Sequence, residues 1–226
     1  MHGFNGWRRL IIVALVANAA CAWLGRDESV DPNLTFAAHS DSGGLVIDKM
    51  EGGQQGRLVR SAIGPFQRGP QLLLETATGP AAALWVEDPS IVVRQAGDPS
   101  APPVGRVDTT WDGGAIQLAL IAEGDGTYRT SAFARTDGGA VPPALGQPAN
   151  LTVEIRGEYV AVVWDEQGTQ AGWLRVRTGV DWGSMSRYEG VLPAPVNGPV
   201  AVAAVARLER EINAMRYQAV DPHIGN

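Results

Sequence analysis

A single cysteine, Cys21, lies in an apolar N-terminal stretch, so no internal disulfide is available and the rest of the chain has no thiol site. Histidine is nearly as scarce: His2, His39 and His223 are too few and too scattered for a histidine-rich metal centre. Lysine occurs once, at Lys49, and the remaining basic residues are arginines. These form no cluster, and the formal net charge is −6, which argues against a nucleic-acid partner. No G-x-S-x-G elbow is present, and no glycine loop ends in Lys-Ser/Thr, so the serine-hydrolase and phosphate-loop patterns are missing. No cofactor or metal is expected.

What is present is glycine, proline and short alternating segments. The 226 residues include 28 Gly and 15 Pro without a period, 45% hydrophobic residues and a mean hydropathy of −0.05. That composition supports a packed core and a turn-dense β protein.

The N-terminus reads as an export segment. Arg8 and Arg9 precede the apolar run from Leu10, Ile11, Ile12 and Val13 to Ala17, and Asp27, Glu28 and Asp31 follow it. Positive before and acidic after places the body outside the cytoplasm. Ala17-Asn18-Ala19 has the small-x-small form of a signal-peptidase site. Cys21 follows Ala19-Ala20 as in a lipobox and is the residue that lipidation would use, but Asn18 stands where an aliphatic residue belongs. The third outcome is a retained anchor. Leu10–Gly25 reaches about 24 Å as a helix, short of a hydrocarbon core of roughly 30 Å. Trp7 and Trp23 would then lie near the two interfaces, where indoles sit well. The flanking indoles and the imperfect lipobox favour retention, as a single-pass inner-membrane protein with its body on the periplasmic side.

Period-two segments fill the body. "LTF", "LVID" and "RLVRSA" are separated by "DSGG" and "EGGQQG". "QLLLETA", "AALWVED" and "SIVVRQA" follow, with a tight turn at Asp88-Pro89-Ser90. The proline-rich stretch 97–105 is the best linker candidate. Beyond it, Ile116, Leu118 and Leu120 alternate with Gln117 and Ala119, and "EGDGT" signals a hairpin into "TYRTSAFAR". A loop is expected at 138–150. Leu151, Val153 and Ile155 then face one side, Gly157 turns the chain into "EYVAVVW", and "DEQG" turns it into "GWLRVR". At the end the period changes. Val205, Leu208, Ile212 and Met215 fall at helical spacing after Asn197-Gly198-Pro199, with Arg207 and Glu211 placed to pair. This predicts an amphipathic helix near 199–217, packed on the sheet. The fold class expected is mainly β: an antiparallel sandwich or barrel with one C-terminal amphipathic α-helix and an N-terminal membrane helix. The division expected is an anchor (1–26), a β meander (27–97) and a sandwich or barrel part (104–226), the last two either separate or one domain.

Candidate catalytic carboxylates are weak. Glu154 and Glu158 flank one turn and Asp165-Glu166 lie at the next, so they read as solvent-facing rather than as a pair across a cleft. "GDG" at 124–126 lacks further calcium ligands and reads as a turn. Five tryptophans occupy the body: Trp85, Trp111, Trp164, Trp173 and Trp182. Core packing is expected for most of them. Trp173, however, shares a strand face with Arg175 and Arg177, opposite Leu174 and Val176. An aromatic beside arginines on an exposed face marks an interface, with Trp182 next to it.

Two resemblances follow from quoted stretches. "LTVEIRGEYVAVVWDEQG…GWLRVRTG" (151–179) resembles the strand-turn-strand of concanavalin-like, laminin-G-type sandwiches, which implies carbohydrate or protein binding. "LTFAAHSDSGGLVIDKMEGGQQGRLVRSAIGPFQRG" (34–69) is similar to photosynthetic complex assembly proteins of purple bacteria. The matching residues are Leu34, Phe36, Gly43, Gly44, Val46, Asp48, Phe66, Arg68 and Gly69, and the likeness ends there. That family has one membrane helix and a small extracytoplasmic β domain.

The functional expectation is a non-catalytic accessory subunit of a larger bacterial membrane complex, photosynthetic by the second resemblance. Its partners would be the other subunits and the bilayer. The alternative is a cell-envelope β protein binding carbohydrate or protein.

Overall fold

The computed structural model describes residues 31–62, 69–98, 100–112, 115–136, 157–178 and 186–220. The alternating segments become strands β1 (Phe36–Asp41), β2 (Gly44–Met50), β3 (Gln54–Arg60), β4 (Leu72–Thr76), β5 (Gly79–Glu87), β6 (Ser90–Gln95) and β7 (Pro103–Asp112). They continue as β8 (Ala115–Ala122), β9 (Gly126–Thr130), β10 (Ala134–Thr136), β11 (Gly157–Trp164), β12 (Gln170–Thr178) and β13 (Arg187–Val191). Helix α1 (Pro199–Val220) ends the described chain.

Nearly every strand pairs antiparallel with its sequence neighbour, and β13 pairs with β1. The ring closes where β9 meets β11, at Val163↔Thr130 and Trp164↔Arg129. β10 extends β9 along the same edge of β11, pairing Ala134 with Val160. At the break between them, Ser131 N donates to Val162 O (2.8 Å), and Val162 N donates to Ser131 Oγ (3.0 Å). The result is a closed antiparallel barrel of twelve strands, not two facing sheets, so the sandwich alternative does not hold. The laminin-G-type arrangement fails with it, because β11 and β12 are simply neighbours in the wall.

Local chemistry sets the turns. Positive φ at Gly124 and Gly126 (87° and 98°) lets "EGDGT" reverse the chain between β8 and β9. Residues 97–102 connect β6 to β7, which pair directly through Val92↔Arg106. Gly157 is not a turn residue as expected. It opens β11 opposite Thr178, and a side chain there would overlap the Tyr159 ring.

Alternation places one face of every strand in the lumen. Phe36, Ile47, Leu74, Leu84, Ile91, Val93, Val107, Leu118, Leu120, Val163, Leu174, Val176 and Tyr188 are all at most 1% exposed and form one cluster. A twelve-stranded barrel is about half again as wide as the eight-stranded kind that side chains alone can fill. Helix α1 takes up the difference. Residues 200–205 are consecutive and none is more than 3% exposed, so this part of the helix is covered on every side. It therefore runs inside the barrel over this part, which corrects the expectation of a helix lying on the sheet; beyond it Leu208 and Ile212 are buried and Arg210 is exposed, so the expected amphipathic spacing holds there. The Val/Ala run makes a thin rod, which is what the remaining lumen admits.

The helix enters at the mouth holding the β2–β3 turn, where Glu51 N donates to Asn197 O (3.2 Å). Pro199 is the first helical residue, as its fixed φ favours, and Val202 N donates to Gly198 O (3.2 Å). Gly105 of β7 clears the way: a Cβ there would lie 2.5 Å from Val200 Cγ2. The helix reaches the opposite mouth near Arg207, which pairs with Asp88 of the β5–β6 turn. The expected pair of Arg207 with Glu211 forms at 2.7 Å.

Strand alternation explains the tryptophans. Trp85, Trp164 and Trp173 are half-buried and Trp111 is 45% exposed, so Trp85, Trp111 and Trp164 are not in the core expected for most of the indoles, while Trp173 faces outward as read. Each of Trp85, Trp164 and Trp173 sits next to a lumen-facing Leu84, Val163 or Leu174, so period-two alternation sends the indole outward. Among the described residues no helix is long and apolar enough to cross a membrane. The expected anchor (Trp7, Arg8, Arg9, Leu10, Ile11, Ile12, Val13, Trp23), Cys21, the strand at 151–156 and Trp182 lie outside the described residues.

Candidate interface on the outer wall

Strand β12 alternates cleanly. Leu174 and Val176 point into the lumen with no exposure, which sends Trp173, Arg175 and Arg177 to the outer wall. The neighbours supply acids at the same level. Register sets Glu158 of β11 opposite Arg177, and Glu189 of β13 opposite Arg175. The outward phase of all three strands follows from Tyr159, Leu174 and Tyr188 being buried inside.

These four charges form a lattice across three strands. Arg175 Nη1 donates to Glu158 Oε1 at 2.9 Å, and its Nε stands 3.8 Å from Glu189 Oε2. Arg177 lies 3.7 Å from Glu158 and 3.6 Å from Glu189. The longer contacts are ion pairs without hydrogen bonds, and Arg175 Nε is buried without a hydrogen-bond partner. The Arg175 guanidinium also lies 5.0 Å from the centroid of the Trp173 ring. That contact is worth about 0.5–1 kcal/mol at such a half-exposed site, and each ion pair on a wet surface up to about 1 kcal/mol. Arg177, with 43% of its side chain exposed, is the freest member, against 17–21% for the others.

Register also sets the exposed Arg187 of β13 opposite Arg177, so three arginines stand against two glutamates and the patch keeps a small positive excess. Its assets are shape and rigidity: a half-buried indole held by a guanidinium that is itself held by a carboxylate. Such pre-ordered aromatic and arginine groups bind without a large ordering cost. Glu158 is committed to arginines rather than free for proton transfer. Asp165 Oδ1 accepts from Gln167 N (3.0 Å) and Thr169 N (2.7 Å), and Glu166 Oε1 accepts from Thr127 N (2.8 Å), so these carboxylates hold turns. Of the residues expected at an interface, Trp173, Arg175 and Arg177 come together as read. Glu158 and Glu189 were missed as their partners, although period-two alternation on adjacent strands carried the signal.

A second polar pair was also missed. His39 Nδ1 lies 2.8 Å from Asp48 Oδ2 on the outer face of the β1–β2 hairpin, both side chains about 30% exposed. Asp41 and Arg57 pair beside it. Among the described residues no three His, Cys, Asp or Glu side chains converge as metal ligands. No known protein family matches this chain, and no match is found among curated proteins or solved structures.

Proposed function

We propose that this chain is a non-catalytic accessory subunit, held by an N-terminal helix at the extracytoplasmic face of a bacterial membrane complex. The observation that carries the reading is the filled lumen. Wide barrels commonly hold small ligands inside, and here α1 takes that volume. The outer wall is left as the working surface, with Trp173, Arg175 and Arg177 as its best-ordered contact group. The leader adds its charge asymmetry, Arg8-Arg9 before and Asp27-Glu28 after the apolar run. Following the likeness of residues 34–69, the complex we propose is a photosynthetic reaction-centre or light-harvesting assembly.

The test is intact mass and N-terminal sequencing of the native protein, then purification from membranes in mild detergent. The expected result is an uncleaved chain that brings membrane subunits with it, less of them after Trp173→Ala. A processed chain that leaves the membrane and migrates alone overturns the reading.

The position of Trp173 on the outer wall, with Trp164 farther along the neighbouring strand, favours a second reading: a cell-envelope carbohydrate-binding barrel. Glycan-array binding that is lost on Trp173→Ala would support it, and a blank array would remove it.

A further inference from the structure

We propose that a polar clasp at the exit mouth sets the depth and rotation of α1 inside the barrel. The clasp has two jaws. On one side Arg207, 4% exposed, pairs with Asp88 of the β5–β6 turn and with Glu211. Arg210 Nη2 adds a second bond to Asp88 at 2.8 Å. On the other side the Tyr188 hydroxyl, on β13, donates to Glu209, which Asn213 also reaches at 3.2 Å.

Two geometric facts make this a clasp and not a set of loose pairs. Arg207 and Glu209 are two residues apart, so they point about 200° away from each other around the helix. In the ring, β13 is separated from β5 by β1, β2, β3 and β4, and from β6 by β7, β8, β9, β11 and β12. The two jaws therefore belong to opposite walls of the barrel.

The apolar part of the helix needs such a device. Val200, Ala201, Val202, Ala203, Ala204, Val205 and Ala206 differ from one another by two methyl groups at most. A rod with so little relief packs almost equally well in several rotations. Within this stretch relief is strong only at the start, where Val200 meets Gly105; the larger Leu208 and Ile212 are buried only beyond it, at the level of the clasp. A slip of one residue moves the helix about 1.5 Å and turns it about 100°. It would part both jaws together and leave Arg207 buried away from Asp88. Buried ion pairs add little net stability, and setting register is their best-attested use.

The test uses the full-length chain in detergent micelles, labelled at the alanine methyls. Asp88→Ala with Tyr188→Phe opens both jaws, because Asp88 serves Arg207 and Arg210 alike, and its half-exposed side chain leaves no cavity. The expected result is two or more signals, or exchange broadening, for Ala201, Ala203, Ala204 and Ala206, where the parent protein shows one each. Single sharp signals at the parent positions overturn the proposal. If the double variant does not fold, Tyr188→Phe alone is read, since it removes one hydroxyl and no charge. Broadening of backbone signals within 207–213 supports the clasp, and parent lineshapes there overturn it.

Discussion

Substituting Gly105 by alanine tests whether the helix truly occupies the lumen. The new Cβ would stand 2.5 Å from Val200 Cγ2 and 2.6 Å from the Ile121 carbonyl oxygen, both well inside contact distance. Valine is stiff at χ1 and the carbonyl belongs to the β7–β8 ladder, so neither yields cheaply. Overpacking of this kind costs about 1–3 kcal/mol. Replacing a strand glycine returns about 0.5–1 kcal/mol; with two overlaps the overpacking cost lies in the upper part of its range, about 2–3 kcal/mol, so the net loss is about 1–2.5 kcal/mol. For a body of this size, that lowers Tm by roughly 3–8 °C. Val200→Ala alone should cost about 2–3 kcal/mol, from lost burial and the space left behind. Together, the alanine at 105 fills part of that space, so the double variant should be less destabilised than the sum by about 1 kcal/mol or more. Full rescue is not expected, because the Ile121 carbonyl remains. The assay is urea unfolding followed by tryptophan fluorescence, with all four proteins sharing one m value. An unperturbed Gly105→Ala, or effects that add to within about 0.5 kcal/mol, would refute passage of the helix against β7.

Three further outcomes follow from other sites. The Arg207 guanidinium that bonds Asp88 holds its carboxyl below the usual aspartate range, against a smaller opposing effect of burial. A lowered acid contributes stability above its unfolded pKa, about 4, and loses it as pH falls through the folded value. Asp88→Asn should therefore flatten the acid limb of stability below about pH 4, by up to about 1 kcal/mol after solvent screening; the limb is read by unfolding at stepped pH, and an unchanged limb counts against the pairing. Arg207 keeps Glu211 in that variant, so the fold should survive. A Cβ on Gly172 would overlap the Val191 carbonyl of the paired strand, so Gly172→Ala should damage folding more than Gly105→Ala, as judged by soluble yield and Tm. Trp173→Ala should cost about 1–2 kcal/mol of stability but weaken partner binding about thirtyfold if the indole is a hot spot, measured by affinity capture from membranes.

Most of the strands could be read from local pattern because alternation and turn glycines act over a few residues. "LVID", "QLLLETA", "SIVVRQA" and "GWLRVR" all became strands, and "EGDGT" and "DEQG" became their turns. The outward face of Trp173, Arg175 and Arg177 was legible for the same reason, since β12 fixes it once Leu174 and Val176 are buried. The glutamates that hold those arginines depended on which strands are neighbours and in what register. That is a long-range matter, and period two does not encode it.

Periodicity established a β protein with a terminal helix, and the run from Val200 to Ala206 already carried apolar residues on all sides of that helix. The sequence alone could not choose between a helix lying on a sheet and one threaded through a barrel. That choice rests on ring closure, where β9 and β10 meet β11 across more than twenty intervening residues. Closure sets the lumen width, and the width calls for a thin rod inside it. Local residues determined each element and the outward face of its indoles, while the volume enclosed by the whole barrel decided where the helix had to go.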